Sequence, residues 1–252
     1  MPHINWPQRK RLLKNCYKII FNSIWSKKRF LDGLENKFVN SNKLLVFYQS
    51  AAKANESILS KKKNWITFVG KLNKAKGYDI FAKSIKKILI KHPQWTAKII
   101  GDEKREKILL NHPNAHVLGF KNHNDVINIF KKTSIAVACS RWEEPFGRTS
   151  LEASANGCAV IITNKGGLPE TVTNAKIINE LTEKNLTIKI NELIKKKLLR
   201  KKLQRLSIKN FYLTHAFVTK QIDNYRKEKL FKRVFSIIAI KKSLRILHVT
   251  NF

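Results

Sequence analysis

From residue 65 onward, short apolar runs alternate with amphipathic stretches, and this alternation is the feature that most restricts the fold. Short apolar runs are typical of buried strands, and apolar residues repeated every three or four positions are typical of helices. Strands that alternate with helices predict an α/β fold whose parallel sheet is wound on both faces. The predicted strands are 65–70, 96–101, 116–120, 135–139 and 159–163, and the predicted helices are 78–91, about 103 onward, 124–132 and 148–156.

The loop after the strand at 135–139 carries a dense set of polar and turn-forming residues. Glu143 and Glu144 place two carboxylates side by side, and Pro145-Phe146-Gly147 then turns the chain into a helix. Gly157 stands where the C-cap of that helix is expected. In parallel α/β sheets, ligands bind at the carboxyl ends of strands, so this loop is a candidate binding site.

The junction at Gly147 is suited to bind an anion. The first N–H groups of a helix have no partner within the helix and point outward with the positive end of its dipole. Gly147 has no Cβ, so a ligand can approach its backbone closely. Glu152 lies in the second turn, within reach of a diol such as a ribose, and each hydroxyl bond to a carboxylate contributes about 1.5–3 kcal/mol. Glu144 lies in the loop on the opposite side of the predicted anion site.

Together these residues resemble the donor-site signature of family 4 glycosyltransferases, which have the two-domain, Rossmann-like GT-B fold. Two glutamates separated by seven residues would be a weak signal in a chain with charged helices. The match becomes specific through the accompanying turns and their distances. The resemblance rests on Glu144-Pro145-Phe146-Gly147, Glu152-Ala153, Gly157 and Gly166-Gly167-Leu168-Pro169-Glu170.

The resemblance implies a role for each of these residues. Glu144 would contact the sugar hydroxyls and is the candidate catalytic residue, while Glu152 would bind the nucleotide ribose. Backbone amides at 147–149 would hold the diphosphate. The alternative is that both glutamates are solvated charges, and Arg148 fits a phosphate contact and a solvated helix start equally well. The implied donor-binding residues of this segment are Phe146, Gly147, Arg148, Thr149 and Glu152.

A second loop, 70–77, also follows a predicted strand and precedes a helix. It carries Lys71 and Lys76, whose charges would neutralise a departing diphosphate. The family pattern has Arg where Lys71 stands, so this chain keeps the charge but loses the planar, two-pronged hydrogen bonding of a guanidinium. Because lysine is abundant throughout the chain, chance placement of both lysines is the alternative.

The chain is strongly basic, with 51 Lys and Arg against 17 Asp and Glu and a formal net charge of +34. Such a field attracts nucleic acid, anionic lipid and phosphorylated ligands. The basic residues are spread over the whole chain and are mostly Lys, which favours a coding bias. Attraction to an anionic membrane face is the alternative. Nucleic-acid binding is disfavoured, because no helix-turn-helix, RNA-recognition or zinc-finger pattern occurs.

Neither a disulfide framework nor a metal site is predicted. Cys16, Cys139 and Cys158 are far apart, and the last two fit small core residues in or beside strands. The histidines show no metal-ligand spacing. The resemblance likewise implies no metal or other cofactor, with the nucleotide diphosphate sugar as co-substrate.

No N-terminal apolar region resembles a signal peptide. No apolar run approaches the ~18 residues that span a bilayer. The predicted location is therefore the cytoplasm, or the periphery of the inner membrane face.

Four parts are predicted along the chain. Residues 1–50 would be the remnant of an N-terminal GT-B domain, with a small N-terminal extension of unknown role as the alternative, and 51–64 a polar linker. Residues 65–229 would form the donor-binding domain, and 230–252 a tail. The predicted elements outside the alternating region are strands at 18–22 and 44–48, a helix at 27–34 capped by Ser26, a basic helix at 182–198 and a closing helix at 214–229.

The end of the tail, 244–252, resembles the first strand of a family 4 N-terminal domain. This similarity predicts that the chain is a segment of a longer or interrupted reading frame, truncated in its N-terminal half. A stray C-terminal strand is the alternative.

The predicted function is retaining transfer of a sugar from a nucleotide diphosphate sugar to an acceptor hydroxyl. Envelope glycans and lipid-linked glycans are the acceptors that the family suggests. A separate N-terminal domain would complete the enzyme, and the chain alone is expected to bind nucleotide but to turn over slowly or not at all. The two alternatives are a non-catalytic nucleotide-sugar-binding fragment and a basic nucleic-acid-binding protein.

Overall fold

The computed structural model describes residues 6–34, 42–234 and 246–248. The chain forms two compact units, residues 1–50 with 213–252, and residues 51–212. The two units meet at 50, where a boundary was predicted, but no unit boundary falls at 64 or 229. The segment 51–64 belongs to the larger unit, and the segment from 213 onward belongs to the smaller one.

The described residues form eight α-helices and nine strands, together with 3-10 helices at Glu56–Lys61 and Leu168–Thr171. The helices are α1 (Trp6–Asn15), α2 (Ile24–Leu31), α3 (Tyr78–Lys91), α4 (His123–Lys132), α5 (Arg148–Ala155), α6 (Glu183–Lys195), α7 (Lys197–Lys209) and α8 (His215–Val234). The strands are β1 (Lys18–Phe21), β2 (Leu44–Val46), β3 (Lys63–Val69), β4 (Thr96–Ile100), β5 (Ala115–Val117), β6 (Thr133–Ala138), β7 (Ala159–Thr163), β8 (Ala175–Ile178) and β9 (Ile246–His248).

A six-stranded sheet with the order β5-β4-β3-β6-β7-β8 forms the centre of the larger unit. All neighbouring strands are parallel, which confirms the predicted fold class. From β3 the chain winds outward through β4 and β5, and from β6 it winds in the opposite direction. The strand order therefore reverses between β3 and β6, and in open α/β sheets ligands bind outside the carboxyl ends of the strands at such a point.

Helices cover both faces of this sheet because its central strands are apolar on both sides. All five residues of β7 are buried, as expected for a strand of a parallel sheet. Side chains of α3 and α6 pack on one face, and side chains of α4 and α5 pack on the other. The predicted helix at 78–91 and the predicted strand at 159–163 coincide with α3 and β7.

The predicted helix from about residue 103 is wrong. Residues 101–114 form no helix. The Glu103 carboxylate accepts hydrogen bonds from the Arg105 backbone N–H and the Asn73 side chain, and these bonds compete with helix formation. The predicted helix at 182–198 is also interrupted, because α6 ends at Lys195 and α7 begins at Lys197.

The smaller unit has its own sheet, with the order β2-β1-β9 and parallel pairing. Its helix α2 begins earlier than predicted, because Ser23 rather than Ser26 is the N-cap and accepts the Ser26 backbone N–H. The helix α1 was not predicted. Strand β9 lies within the predicted strand at 244–252, whose remaining residues lie outside the described ones.

Among the residues for which coordinates are described, no helix has the length and the apolar character that a membrane span requires.

Candidate functional site

A cleft of about 240 Å³ lies at the reversal of strand order, between the carboxyl ends of β3 and β6. Its walls come from the two strand ends, from the first turn of α5 and from side chains of the adjoining loops. The cleft therefore lies where a doubly wound sheet is expected to bind its ligand. The lining residues are 68–70, 138–140 and 147–149, together with Lys76, Glu144 and Leu168.

The first turn of α5 opens onto this cleft. Gly147 is the N-cap, adopts φ 109°, and offers no side-chain cap to the first turn. A Cβ at this position would lie 2.5 Å from Leu168 Cδ2, so only glycine fits without displacing a neighbour. Residues 147–149 line the cleft, where the sequence predicts that a phosphate binds at the start of the helix.

The Gly166-Gly167 turn holds the glutamate loop in place by direct contact between backbones. The Gly167 N–H donates to the Glu144 carbonyl at 2.6 Å. A Cβ at Gly166 would lie 2.2 Å from that same oxygen. The two glycines of this turn therefore have a physical cause, because no side chain fits between the two loops.

The loop 70–77 is fastened to the residues that follow β6. The Ala75 carbonyl accepts the N–H groups of Arg141 and Trp142 at 2.9 and 3.0 Å. A Cβ on Gly77 would lie 1.9 Å from the Cys139 carbonyl oxygen. This close approach brings the two predicted loops together and fixes the backbone beside Lys76.

Lys76 and Glu144 form an ion pair within the cleft, with 2.5 Å between Nζ and Oε1. Both residues line the cleft, and they lie 68 residues apart in the chain. Lys71 belongs to the same loop, but its side chain is exposed and does not line the cleft. The structure therefore brings one of the two predicted lysines to the predicted anion site.

Glu152 is 6% exposed, and two basic side chains approach it. The Arg148 Nε donates to Glu152 Oε1 at 2.6 Å, and His123 Nδ1 lies 3.6 Å from the same oxygen. The sequence allowed two interpretations of Arg148, a phosphate contact and a solvated residue at the helix start. In the structure its guanidinium pairs with Glu152. No site role was predicted for His123. It begins α4 and is 56% exposed, and no feature of its local sequence indicates the contact.

Two further predicted site residues differ in their surroundings. Thr149 is half-buried and lines the cleft. Phe146 is 2% exposed and does not line it, so its side chain packs inside the turn rather than against a ligand in this cleft.

The sequence interpretation missed the pair formed by Arg141 and Asp79. The Arg141 guanidinium binds both carboxylate oxygens of Asp79 at 2.5 and 2.8 Å, and it also donates to the Lys74 carbonyl. Burial alone would raise the pKa of Asp79, but the hydrogen bonds and charge of Arg141 outweigh it and lower the pKa. This pair ties the lysine loop to the segment after β6.

Within the described part of the chain, no three His, Cys, Asp or Glu side chains are grouped so that they could hold a metal ion. Cys16, Cys139 and Cys158 are free and buried. The last two are fully buried, which confirms their interpretation as core residues.

The fold is that of a doubly wound, Rossmann-like domain of the GT-B type, with a cleft at the reversal of strand order. The family model described as "Glycosyl transferases group 1" matches residues 50–210. The chain therefore belongs to the group 1 glycosyl transferases.

Individual relatives agree with this assignment. Spore coat protein SA of Bacillus subtilis is 30% identical over 149 residues, which cover 52% of this chain and 40% of that protein. The lipopolysaccharide core biosynthesis mannosyltransferase LpsB of Rhizobium meliloti is 29% identical over 121 residues, which cover 44% of this chain and 34% of that protein. The match thus spans two fifths or less of the length of these curated relatives.

Among solved structures, Anabaena Alr3699/HepE in complex with UDP and glucose has the same fold, with a TM-score of 0.73 and 19% identity. The superposition covers 88% of this chain and 66% of that one.

Proposed function

We propose that this chain provides the donor site of a family 4 glycosyltransferase that moves a sugar, a hexose in the first instance, from a nucleotide diphosphate sugar to an acceptor hydroxyl. The observation that carries this proposal is the cleft between β3 and β6, where a lysine, a glutamate and the open first turn of a helix meet. Anabaena HepE, which has the same fold, was solved in complex with UDP and glucose, and this supports a ligand of the same class.

The diphosphate would occupy the space in front of α5. Its negative charge would be stabilised by the amides of 147–149 and by the Lys76 ammonium, which also stabilise the charge that develops on the leaving group. Because Lys76 is paired with Glu144 before the donor arrives, the diphosphate would compete for the ammonium. The Glu144 carboxylate would then be free to accept hydrogen bonds from sugar hydroxyls, which positions the sugar for transfer.

The nucleoside would extend toward Glu152. This carboxylate is nearly buried and is oriented by Arg148, so it would present its remaining hydrogen-bonding capacity to the ribose diol. No step requires a metal ion in this scheme, since amides and basic side chains supply the compensating charge. The family resemblance supports retention at the anomeric carbon.

Relatives support an envelope glycan or lipid-linked acceptor, because one takes part in lipopolysaccharide core biosynthesis and another in the spore coat, according to their names. The acceptor side would come from a separate N-terminal domain. Since the match covers only part of the relatives, a second candidate is a domain that binds nucleotide sugar without transferring it.

Calorimetry with uridine, guanosine and adenosine diphosphate sugars tests the donor assignment. At least one member of this panel should bind, and Glu152→Ala should weaken its binding by about tenfold to a hundredfold, because hydrogen bonds to a charged group are lost. Glu143→Ala is the control, since it removes a half-buried carboxylate from the same loop as Glu144 and has no donor-binding role in the proposal. Equal binding by wild type and Glu152→Ala would refute the ribose assignment.

A second assay separates the two candidates. The chain is mixed with a separately produced N-terminal GT-B domain, the donor and an acceptor glycan, and product is measured. Transfer that Glu144→Ala abolishes indicates an enzyme, whereas donor binding without product under all pairings indicates a binding domain. Addition of EDTA should leave donor affinity unchanged.

A further inference from the structure

A second concave surface lies at the opposite edge of the six-stranded sheet, where the strands begin. Lys61 precedes β3, Lys132 directly precedes β6, and Asn156 caps the helix that leads into β7. We call this concavity the basic groove; its volume is about 600 Å³. Its lining residues are 52–55, Ser57, Ile58, Lys61, Ile127, Asn128, Lys131, Lys132 and Asn156.

The charge of the basic groove has one sign. Four lysines line it, Lys53, Lys61, Lys131 and Lys132, and no acidic residue does. All four are exposed. The Lys53 ammonium lies 3.5 Å from the Lys209 carbonyl, and within the described residues the other three make no ion pair or side-chain hydrogen bond. Their charges are thus available to an anion from solution.

Three of these lysines, Lys61, Lys131 and Lys132, do not serve the helix ends that meet at this edge. Lysines near helix C-termini commonly bind the last carbonyls, but here a different residue does so. The Lys62 ammonium donates to the Phe130 carbonyl at 2.9 Å and to the Asn156 carbonyl at 2.6 Å. Because Lys62 serves the ends of α4 and α5, these three lysines are not needed for that structural task, whereas Lys53 contacts the end of α7.

The floor of the groove is aliphatic. Ile58 is 8% exposed, and Ile127 and two alanines complete the apolar lining. Proteins that bind single-stranded nucleic acid offer aromatic rings for base stacking, and arginine is the usual residue for two-pronged phosphate contacts. The groove has neither an aromatic residue nor an arginine. An aliphatic floor with a rim of compact charges instead matches an amphipathic anion.

We propose that the basic groove docks onto the surface of an anionic phospholipid membrane. The four ammonium groups contact lipid phosphates, and the aliphatic floor covers the glycerol region between them. Each lysine near an anionic surface strengthens binding by about fivefold. Because the groove and the donor cleft lie at opposite edges of one sheet, membrane binding leaves the donor cleft open.

Vesicle co-sedimentation with the whole chain tests this proposal. The vesicles contain phosphatidylcholine alone, or phosphatidylcholine with about one third phosphatidylglycerol. The groove variant combines Lys53→Gln, Lys61→Gln, Lys131→Gln and Lys132→Gln. The matched control combines Lys83→Gln, Lys86→Gln, Lys91→Gln and Lys184→Gln, which remove the same charge from exposed positions on α3 and α6.

The wild-type chain should bind the anionic vesicles and not the neutral ones. The groove variant should lose at least about tenfold in affinity and the control less than about twofold, since only the groove lysines face the lipid. Equal losses in both variants, or no loss in the groove variant, overturn the proposal. Binding to a single-stranded oligonucleotide without binding to anionic vesicles overturns it as well.

Two further measurements keep this result separate from the donor assignment. Thermal unfolding should show that both variants fold, because the substituted side chains are exposed. Donor affinity measured by calorimetry should be the same in wild type and groove variant. A loss of vesicle binding with intact donor binding supports the groove alone, and a failure of donor binding in every protein bears on the proposed function alone.

Discussion

Basic side chains have different partners at the two edges of the six-stranded sheet, where the strands end and where they begin. At the carboxyl edge, basic groups are matched with acids: Lys76 Nζ lies 2.5 Å from Glu144, and Arg148 Nε lies 2.6 Å from Glu152. At the amino edge, four lysines line the basic groove without an acid among the lining residues. Both edges belong to the same 51–212 unit, so the difference is one of local construction.

This difference shows how a chain with a net charge of +34 can keep a selective site. Unpaired lysines attract any anion, and the attraction grows with the charge density of the partner. A lysine that is already paired must give up its carboxylate before it can bind a phosphate, so a ligand that offers hydroxyl groups to the released acid is favoured over one that does not. The two proposals therefore assign one ligand to the carboxyl edge and a membrane surface to the amino edge.

The largest effect should appear where the loops of the carboxyl edge interlock. Gly77 has φ 72° and Gly157 at the amino edge has φ 67°, so alanine meets a similar backbone cost at both positions. The new Cβ would lie 1.9 Å from the Cys139 carbonyl oxygen in Gly77→Ala but 2.7 Å from the Ile208 side-chain end in Gly157→Ala. We expect losses of about 4 and about 2 kcal/mol in the free energy of unfolding, measured by urea denaturation.

The contrast between these two glycines depends on what each Cβ meets. The Cys139 carbonyl can move away from a new Cβ only if two loops separate, whereas the end of the Ile208 side chain can move without separating any loops. Equal losses in the two variants would show that the loops at the carboxyl edge are not interlocked as the contacts indicate.

Single lysine substitutions should give opposite results at the two edges. Lys76→Met should weaken binding of the nucleotide diphosphate sugar by about tenfold, because a charged hydrogen bond to the diphosphate is lost. Lys61→Met should weaken binding to anionic vesicles by about fivefold. Each variant should leave the other ligand's affinity within about twofold. Calorimetry and vesicle co-sedimentation measure the two affinities, and a variant that lowers both would remove the distinction between the edges.

The smallest effect concerns the pair that ties the lysine loop in place. Arg141→Met should lower the free energy of unfolding by about 1 kcal/mol at neutral pH, because the pair is partly exposed. The pair lowers the pKa of Asp79, so its contribution is present above the carboxyl's unfolded value and is lost as pH falls through the lower folded value. The stability difference between wild type and Arg141→Met should therefore shrink on acidification below about pH 4.

Asp79→Asn serves as the control for this last measurement. It should match Arg141→Met in stability at neutral pH, and the two variants should show the same shallow dependence on pH. A difference between wild type and Arg141→Met that stays constant down to about pH 2 would contradict the role assigned to the pair.

Elements with a strong local signal were predictable from the sequence. The helix at 78–91 and the strand at 159–163 were predicted at the bounds that α3 and β7 have, because amphipathic spacing and continuous apolar character are properties of neighbouring residues. The helix from about 103 was wrong because Glu103 and Glu106 use their carboxylates on the distant residues Asn73 and Lys74. A local pattern contains no information about such partners.

For the candidate site, too, some features were predictable from the sequence and others were not. The helix start at Gly147 and the position of Glu144 in the cleft followed from the order of turn residues and carboxylates, whereas Glu152 is buried on α5 and does not line the cleft. The roles inferred for them stay predictions until donor binding is measured. The contact of His123 with Glu152, the exposure of Lys71 and the burial of the Phe146 side chain did not follow from the sequence, since each depends on how separate loops pack.

By itself, the sequence determined the alternation of strands and helices, the parallel sheet and the helix start that faces its carboxyl edge. These features depend on burial, periodicity and the φ that glycine allows, all of which act over a few residues. Only the tertiary structure decided which charges are paired and which are left exposed at each edge. The strand order decides this, because it places Lys76 and Glu144, which are 68 residues apart in the chain, within hydrogen-bonding distance and leaves the groove lysines without an acid among the lining residues.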